Sequence, residues 1–168
     1  IGMRYYVIAG EPSGDLHGGK LMQQIAANDP EAEFRCTGGD TMAQIAGPGR
    51  LKYHYKEMSF FGFVQVALNL RTIFSQIDEV KSDIASFNPD VVILIDYPAF
   101  NLRIAKWAKS RGVKVYYYIA PKVWAWKERR VKKLRRYVDR LYTIFPFETE
   151  YFRRHGIEPH FCGNPLVE

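Results

Sequence analysis

Apolar positions follow two alternating rhythms along this chain. Short apolar runs rich in β-branched and aromatic residues are separated by longer stretches whose apolar residues recur every three or four positions. The short runs predict strands at Arg4–Ala9, Glu33–Thr37, Lys52–Tyr55, Val91–Ile95, Lys114–Ile119, Leu141–Ile144 and His160–Cys162. The longer stretches predict helices over Gly14 to about Ala27, Thr41–Ala46, Phe63–Phe87, Leu102–Ser110, Lys127–Val138 and Glu148–His155. Ser13 is the expected N-cap of the first, and Gly112 and Gly156 stop two of the others. Val91–Ile95 is a continuous apolar run, the pattern of a strand covered on both faces. Strands alternate with helices throughout, so the expected fold is α/β, a doubly wound, mostly parallel, Rossmann-like sheet. In such folds the ligand sits outside the carboxyl ends of the strands.

Composition adds bounds rather than identity. A chain of 168 residues is the size of one domain and can bury a core. No repeat, low-complexity tract or internal linker breaks it, so residues 3–163 read as that domain. Ile1-Gly2 reads as a cloning remnant, and the turn-like 164–168 as the start of a linker to something further. Hydrophobic residues make up 47% and charged ones 25%, an ordinary folded balance, and no apolar run reaches the roughly 18 residues of a spanning helix. The two cysteines, Cys36 and Cys162, have no metal-ligand spacing and suit a reducing compartment. A net charge of +6 admits nucleic acid, phosphorylated substrates or an anionic membrane surface as partners.

Five stretches carry candidate chemistry. The first strand opens into Gly10-Glu-Pro-Ser-Gly-Asp15, a glycine turn at a helix start. It is neither a dinucleotide fingerprint nor a P-loop, since residues 11–13 fill the positions of close approach and no Gly-Lys-Ser/Thr follows. Helix-start N–H groups suit an anion, but Glu11 and Asp15 would repel one and are better suited to sugar hydroxyls. A capped turn with solvated acids would look the same. Asp96 stands at the end of the most apolar strand, with Pro98 expected to hold Tyr97 extended. A desolvated carboxylate there is a candidate general base, and a loop-bracing Asp is the alternative. Asn101 either binds a ligand or caps the next helix. Trp124 and Trp126 follow another strand, where indoles pack or stack on a sugar or acyl chain.

The helix at Lys127–Arg136 carries Arg129, Lys132, Lys133 and Arg136 opposite Val131, Leu134 and Val138. Such a basic stripe suits solvent, RNA or anionic lipid. Along the long helix, Val66, Leu70, Ile73, Ile77, Val80 and Ile84 form a core stripe. Phe61, Val64 and Leu68 lie on the other side of its start, to be covered by protein or to meet a membrane.

Taken in order, Ala9-Gly-Glu-Pro-Ser-Gly-Asp15, Gly38-Gly39, Asp96-Tyr-Pro-Ala-Phe-Asn101, Pro121-Lys-Val-Trp-Ala-Trp126, Phe145-Pro-Phe-Glu148 and Gly163-Asn-Pro-Leu166 closely resemble the lipid-A-disaccharide synthases. The resemblance implies the N-terminal, acceptor-side half of a two-domain GT-B type glycosyltransferase, whose C-terminal nucleotide-binding domain lies outside this chain. It implies an inverting, metal-free and cofactor-free transfer of 2,3-diacylglucosamine from its UDP derivative to 2,3-diacylglucosamine 1-phosphate, giving a β-1,6 disaccharide and UDP. It puts the base on Asp96 and substrate contacts on Glu11, Ser13, Gly14, Asp15, Asn101, Trp124 and Trp126. Phe61, Val64 and Leu68 fall where the family meets acyl chains and an anionic membrane surface. The implied place is cytoplasmic, peripheral on the inner membrane, with no nucleic acid bound, and the isolated half is expected to be inactive. Pro12 and Asn164 depart from the family pattern, where Ala and His are common, so no proton transfer is carried to Asn164. The rival expectations are a related sugar-nucleotide enzyme such as a 2-epimerase, and a basic nucleic-acid-binding module.

Overall fold

The computed structural model describes residues 2–57, 70–118, 128–143, 152–154, 156–157 and 160–161. Seven strands among them form one sheet. They are β1 (Arg4–Ala9), β2 (Glu33–Gly38), β3 (Leu51–His54), β4 (Val91–Ile95), β5 (Lys114–Tyr118), β6 (Arg140–Thr143) and β7 (His160–Phe161). Their order across the sheet is β3-β2-β1-β4-β5-β6-β7, and every pairing is parallel. The described helices are α1 (Pro12–Asn28), α2 (Asp40–Ala46), α3 (Leu70–Phe87), α4 (Pro98–Ser110) and α5 (Glu128–Tyr137). A 3-10 turn, Tyr55–Glu57, follows β3. The doubly wound parallel sheet expected from the alternation of elements is the observed fold.

Strand periodicity explains why both faces need cover. Tyr6, Ile8, Val92, Leu94, Val115, Tyr117 and Leu141 point to one face and pack against buried residues of α3, α4 and α5. Val7, Ala9, Cys36, Ile93, Ile95 and Tyr118 point to the other, against Met22 of α1 and Met42 of α2. All five residues of β4 are buried, as a central parallel strand requires. The expected stripe on α3 holds for Ile73, Ile77, Val80 and Ile84, all buried. On α5, Val131 and Leu134 are buried while Lys132, Lys133, Arg135 and Arg136 are exposed. A polar tie also fixes α3 to the sheet: Asp83 accepts from Tyr6 Oη at 2.6 Å and from Arg35 Nε at 2.6 Å. Burial, then that bond, pushes the Tyr6 phenol well above its ordinary value.

Several boundaries differ from expectation, and proline accounts for two of them. Helix α1 begins at Pro12 rather than Gly14, so Ser13 lies inside the first turn, and Glu11 is the N-cap with no side-chain capping bond. Helix α4 begins at Pro98, four residues ahead of Leu102. A proline lacks the N–H that is unsatisfied at a first helical position anyway, and its φ is already helical. Tyr97 is left-handed (φ 57°, ψ 56°), not extended as the following proline led one to expect. The ends of the expected strands at Ile119, Ile144 and Cys162 lie outside the described residues, as do the start of the long helix and most of the Glu148–His155 helix.

Candidate active site at the strand switch

Strands β1 and β4 are neighbours at the centre of the sheet, in register from Tyr5 opposite Val91 to Ala9 opposite Ile95. Beyond its end β1 feeds α1 on one face, and β4 feeds α4 on the other. The two chains diverge there, at the position where doubly wound sheets bind ligands, and this switch point is the candidate crevice. Its walls are the turns 10–15 and 96–101.

The turn after β1 divides into an exposed and a buried part. Glu11, Pro12 and Ser13 are exposed, whereas Gly14 and Asp15 are buried. The Asp15 carboxylate accepts from the backbone N–H of Gly39 (2.8 Å), Met42 (3.0 Å) and Thr41 (3.1 Å). It satisfies the otherwise unpaired donors at the start of α2. Asp15, expected to meet a sugar, is thus turned inward as a cap. Its partner motif follows from the same contact: a Cβ on Gly39 would lie 2.7 Å from Asp15 Cγ and 2.5 Å from Tyr55 Cε1. Two motifs far apart in sequence are one structural unit.

The first glycine of the turn also has a structural partner. A Cβ on Gly10 would stand 2.6 Å from the Tyr97 ring, so that ring lies directly on the Gly10 backbone. At Gly10 the two turns therefore pack closely against each other. Burial, and then the Glu11 carboxylate, push the Tyr97 phenol above its ordinary value.

The turn after β4 holds Asp96 at the rim, partly exposed. Asp96 and Tyr97 both take positive φ, 46° and 57°. Asp tolerates that region, but for a bulky residue such as Tyr it costs about 1–3 kcal/mol and persists only where surroundings impose it. Asn101 is fully buried and donates from Nδ2 to the carbonyls of Asp96 (2.8 Å) and Ile95 (3.3 Å). Its amide group braces the strand exit, and Asn101 lies inside α4 rather than capping it. Asn101 Oδ1 has no hydrogen-bond partner among the described residues.

Three residues near the crevice escaped sequence reading. For Tyr97 the sequence predicts only an extended backbone before Pro98. Tyr117, inside the apolar run Lys114–Tyr118, read as core, yet its hydroxyl donates to the Asp96 carbonyl at 2.5 Å. His17, on the buried face of α1, has its Nδ1 without a partner among the described residues. Burial, and secondarily Lys20, lower its pKa, so it is neutral at pH 7. Cys36 in β2 is no nucleophile: burial, with Asp15 adding, pushes its thiol up to about 12. Trp124 and Trp126, and Phe61, Val64 and Leu68, lie outside the described residues. Among the described residues no group of three or more His, Cys, Asp or Glu side chains could hold a metal ion, and no helix is long and apolar enough to cross a membrane.

Known proteins resemble this chain at two levels. In fold, the chain is similar to a UDP-N-acetylglucosamine 2-epimerase from Rickettsia bellii, with a TM-score of 0.65 and 14% identity, over 99% of this chain and 46% of that one. A UDP-GlcNAc 2-epimerase from Neisseria meningitidis, solved with UDP-GlcNAc, gives the same TM-score at 10% identity, over 96% of this chain and 46% of that one. At such identities the likeness is one of fold alone. In sequence, the chain is 42% identical over 165 residues to the lipid-A-disaccharide synthase of Geobacter metallireducens, covering 98% of this chain and 42% of that protein. It is 39% identical over 166 residues to that of Myxococcus xanthus, covering 98% of this chain and 43% of that protein. The chain thus spans about two fifths of the length of these relatives. A family profile described as lipid-A-disaccharide synthetase matches residues 5–168, and the chain belongs to that family.

Proposed function

We propose that this chain is the acceptor-side half of a lipid-A-disaccharide synthase, with Asp96 as its general base. The observation that carries the reading is the placement of Asp96, partly exposed at the end of the fully buried β4, on the crevice of a family member. In the whole enzyme, Asp96 removes the proton from the 6-hydroxyl of 2,3-diacylglucosamine 1-phosphate. That oxygen adds to the anomeric carbon of UDP-2,3-diacylglucosamine from the face opposite the leaving group, and UDP departs with inversion. Glu11 and Ser13, exposed on the opposite wall, accept hydrogen bonds from sugar hydroxyls. A C-terminal nucleotide-binding domain beyond residue 168 stabilises the leaving UDP, so this half alone is inactive.

The remaining assignments rest on the resemblance. Trp124 and Trp126 stack on substrate, and Phe61, Val64 and Leu68 contact acyl chains. The enzyme works at the cytoplasmic face of the inner membrane, where the exposed cations of α5 add attraction to anionic lipid at about 1 kcal/mol each.

Replacing Asp96 by Asn in the full-length enzyme keeps the shape and removes the basicity. General-base assistance is typically worth about 10²–10⁴-fold, so kcat should fall by about 100-fold or more with the thermal unfolding temperature unchanged. A variant within a few-fold of wild type would return Asp96 to bracing its loop.

A further inference from the structure

A single backbone carbonyl, that of Asp96, is gripped by side chains from two other elements. Tyr117 Oη of β5 donates to it at 2.5 Å, and Asn101 Nδ2 of α4 at 2.8 Å. Tyr117 and Asn101 are both fully buried, beneath the helices that cover this face. Asn101 is also tied through its own backbone, its N–H donating to the Tyr97 carbonyl at 2.9 Å. A further backbone bond, from Asp96 N–H to Tyr118 carbonyl, is long at 3.4 Å. The regular ladder between β4 and β5 is therefore giving out at Asp96, and the side-chain bonds to its carbonyl take over there.

The grip acts where the backbone is least favourable. Asp96 and Tyr97 are consecutive left-handed residues, and neither is a glycine. Turning the Asp96 carbonyl inward is coupled, through φ and ψ, to the direction of its Cβ. A carbonyl held on the helix-covered side thus fixes the direction of the Asp96 side chain, which is partly exposed with Oδ1 buried.

We infer that Tyr117 and Asn101 are positioning residues that hold the Asp96 carboxylate at the crevice by clamping its backbone carbonyl. This rests on the reading of Asp96 as the base. Neither clamp residue touches substrate; both act through Asp96. A displacement of about 1 Å at a reacting group can cost about 10²-fold in rate, so a partly loosened clamp has a kinetic signature well before the fold fails.

The test is a double-mutant cycle in the full-length enzyme with the UDP-diacylglucosamine donor and the acceptor. Tyr117→Phe deletes one hydroxyl and keeps the ring. It should lower kcat about tenfold while leaving KM within about twofold. In an Asp96→Asn background the same change should cost less than about twofold, because there is no base left to position. If Asp96→Asn collapses kcat and Tyr117→Phe does not, the clamp is refuted and the base stands. Equal losses from Tyr117→Phe in both backgrounds would also refute it, marking a general structural effect. Should Asp96→Asn keep its activity, the base reading falls and the clamp with it. If Tyr117→Phe does not fold, Asn101→Ala, run through the same cycle, decides by the same outcomes.

Discussion

The two turns that wall the crevice look alike in sequence and use their polar residues in opposite ways. Each leaves a central strand, each carries a proline at the first position of the following helix, and each combines an acid with a second polar side chain. In the turn after β1, the acid furthest from the strand, Asp15, is turned inward, and the exposed Glu11 is left at the mouth. In the turn after β4, the amide furthest from the strand, Asn101, is turned inward, and Asp96 is left at the rim. Each inward group satisfies backbone polar atoms: Asp15 takes N–H donors of α2, and Asn101 feeds carbonyls at the end of β4. A motif at a strand exit is thus a composite. One member faces the ligand because another member has closed the backbone behind it.

That contrast is tested most severely at Asp15. Asp15→Ala strands N–H donors of Gly39, Thr41 and Met42 in a largely buried place. At about 1–3 kcal/mol for each unsatisfied buried donor, less whatever water reaches, the loss should be about 3–5 kcal/mol. Denaturant unfolding of wild type and variant measures it. Glu11→Ala, in the same turn but exposed, should change stability by less than about 0.5 kcal/mol. Comparable losses at the two acids would erase the distinction between them.

A smaller effect is expected where the two turns touch. Gly10→Ala drives a methyl into the Tyr97 ring, an overpacking typically worth about 1–3 kcal/mol. If the ring is what the methyl meets, the penalty should shrink by about half or more when Tyr97 is also replaced by Ala, and the two variants should be non-additive. Additive losses in a thermal unfolding cycle would show that Gly10 is needed for a reason other than Tyr97.

The architecture was legible before the structure because burial on two faces leaves a strong trace. A run such as Val91–Ile95 has no polar position at which a solvated face could be hidden, and the stripe on α3 repeats at helical spacing. The site was legible only in part. Asp96 stands out because an acid after an apolar run is conspicuous, but sequence alone does not say which way a polar side chain turns. The backbone groups beside Asp15 and Asn101 claim both side chains, and no periodicity in the sequence reports that. Tyr117 was invisible for the opposite reason. Its ring belongs to the core and only its hydroxyl to the site, and an apolar pattern reports the ring.

The smallest effect concerns the second turn of α1, where His17 lies on the buried face two residues beyond Asp15. Its imidazole is held below its ordinary pKa, first by burial and then by Lys20. The unfolded chain therefore binds the proton more readily than the folded one. Between the folded pKa and the unfolded value of about 6.5 the unfolded state carries more protons, so stability rises with pH across that window. Above about 6.5 the contribution is full, and it is lost as pH falls through the window toward the folded pKa. His17→Gln keeps a polar side chain of similar reach and removes the titration. The difference in unfolding free energy between wild type and His17→Gln should therefore be flat above about pH 7 and shift against wild type below about pH 6. Parallel stability curves across that range would mean that His17 is as well solvated in the fold as in the unfolded chain. The inward face of α1 beyond Asp15 would then be wet at His17.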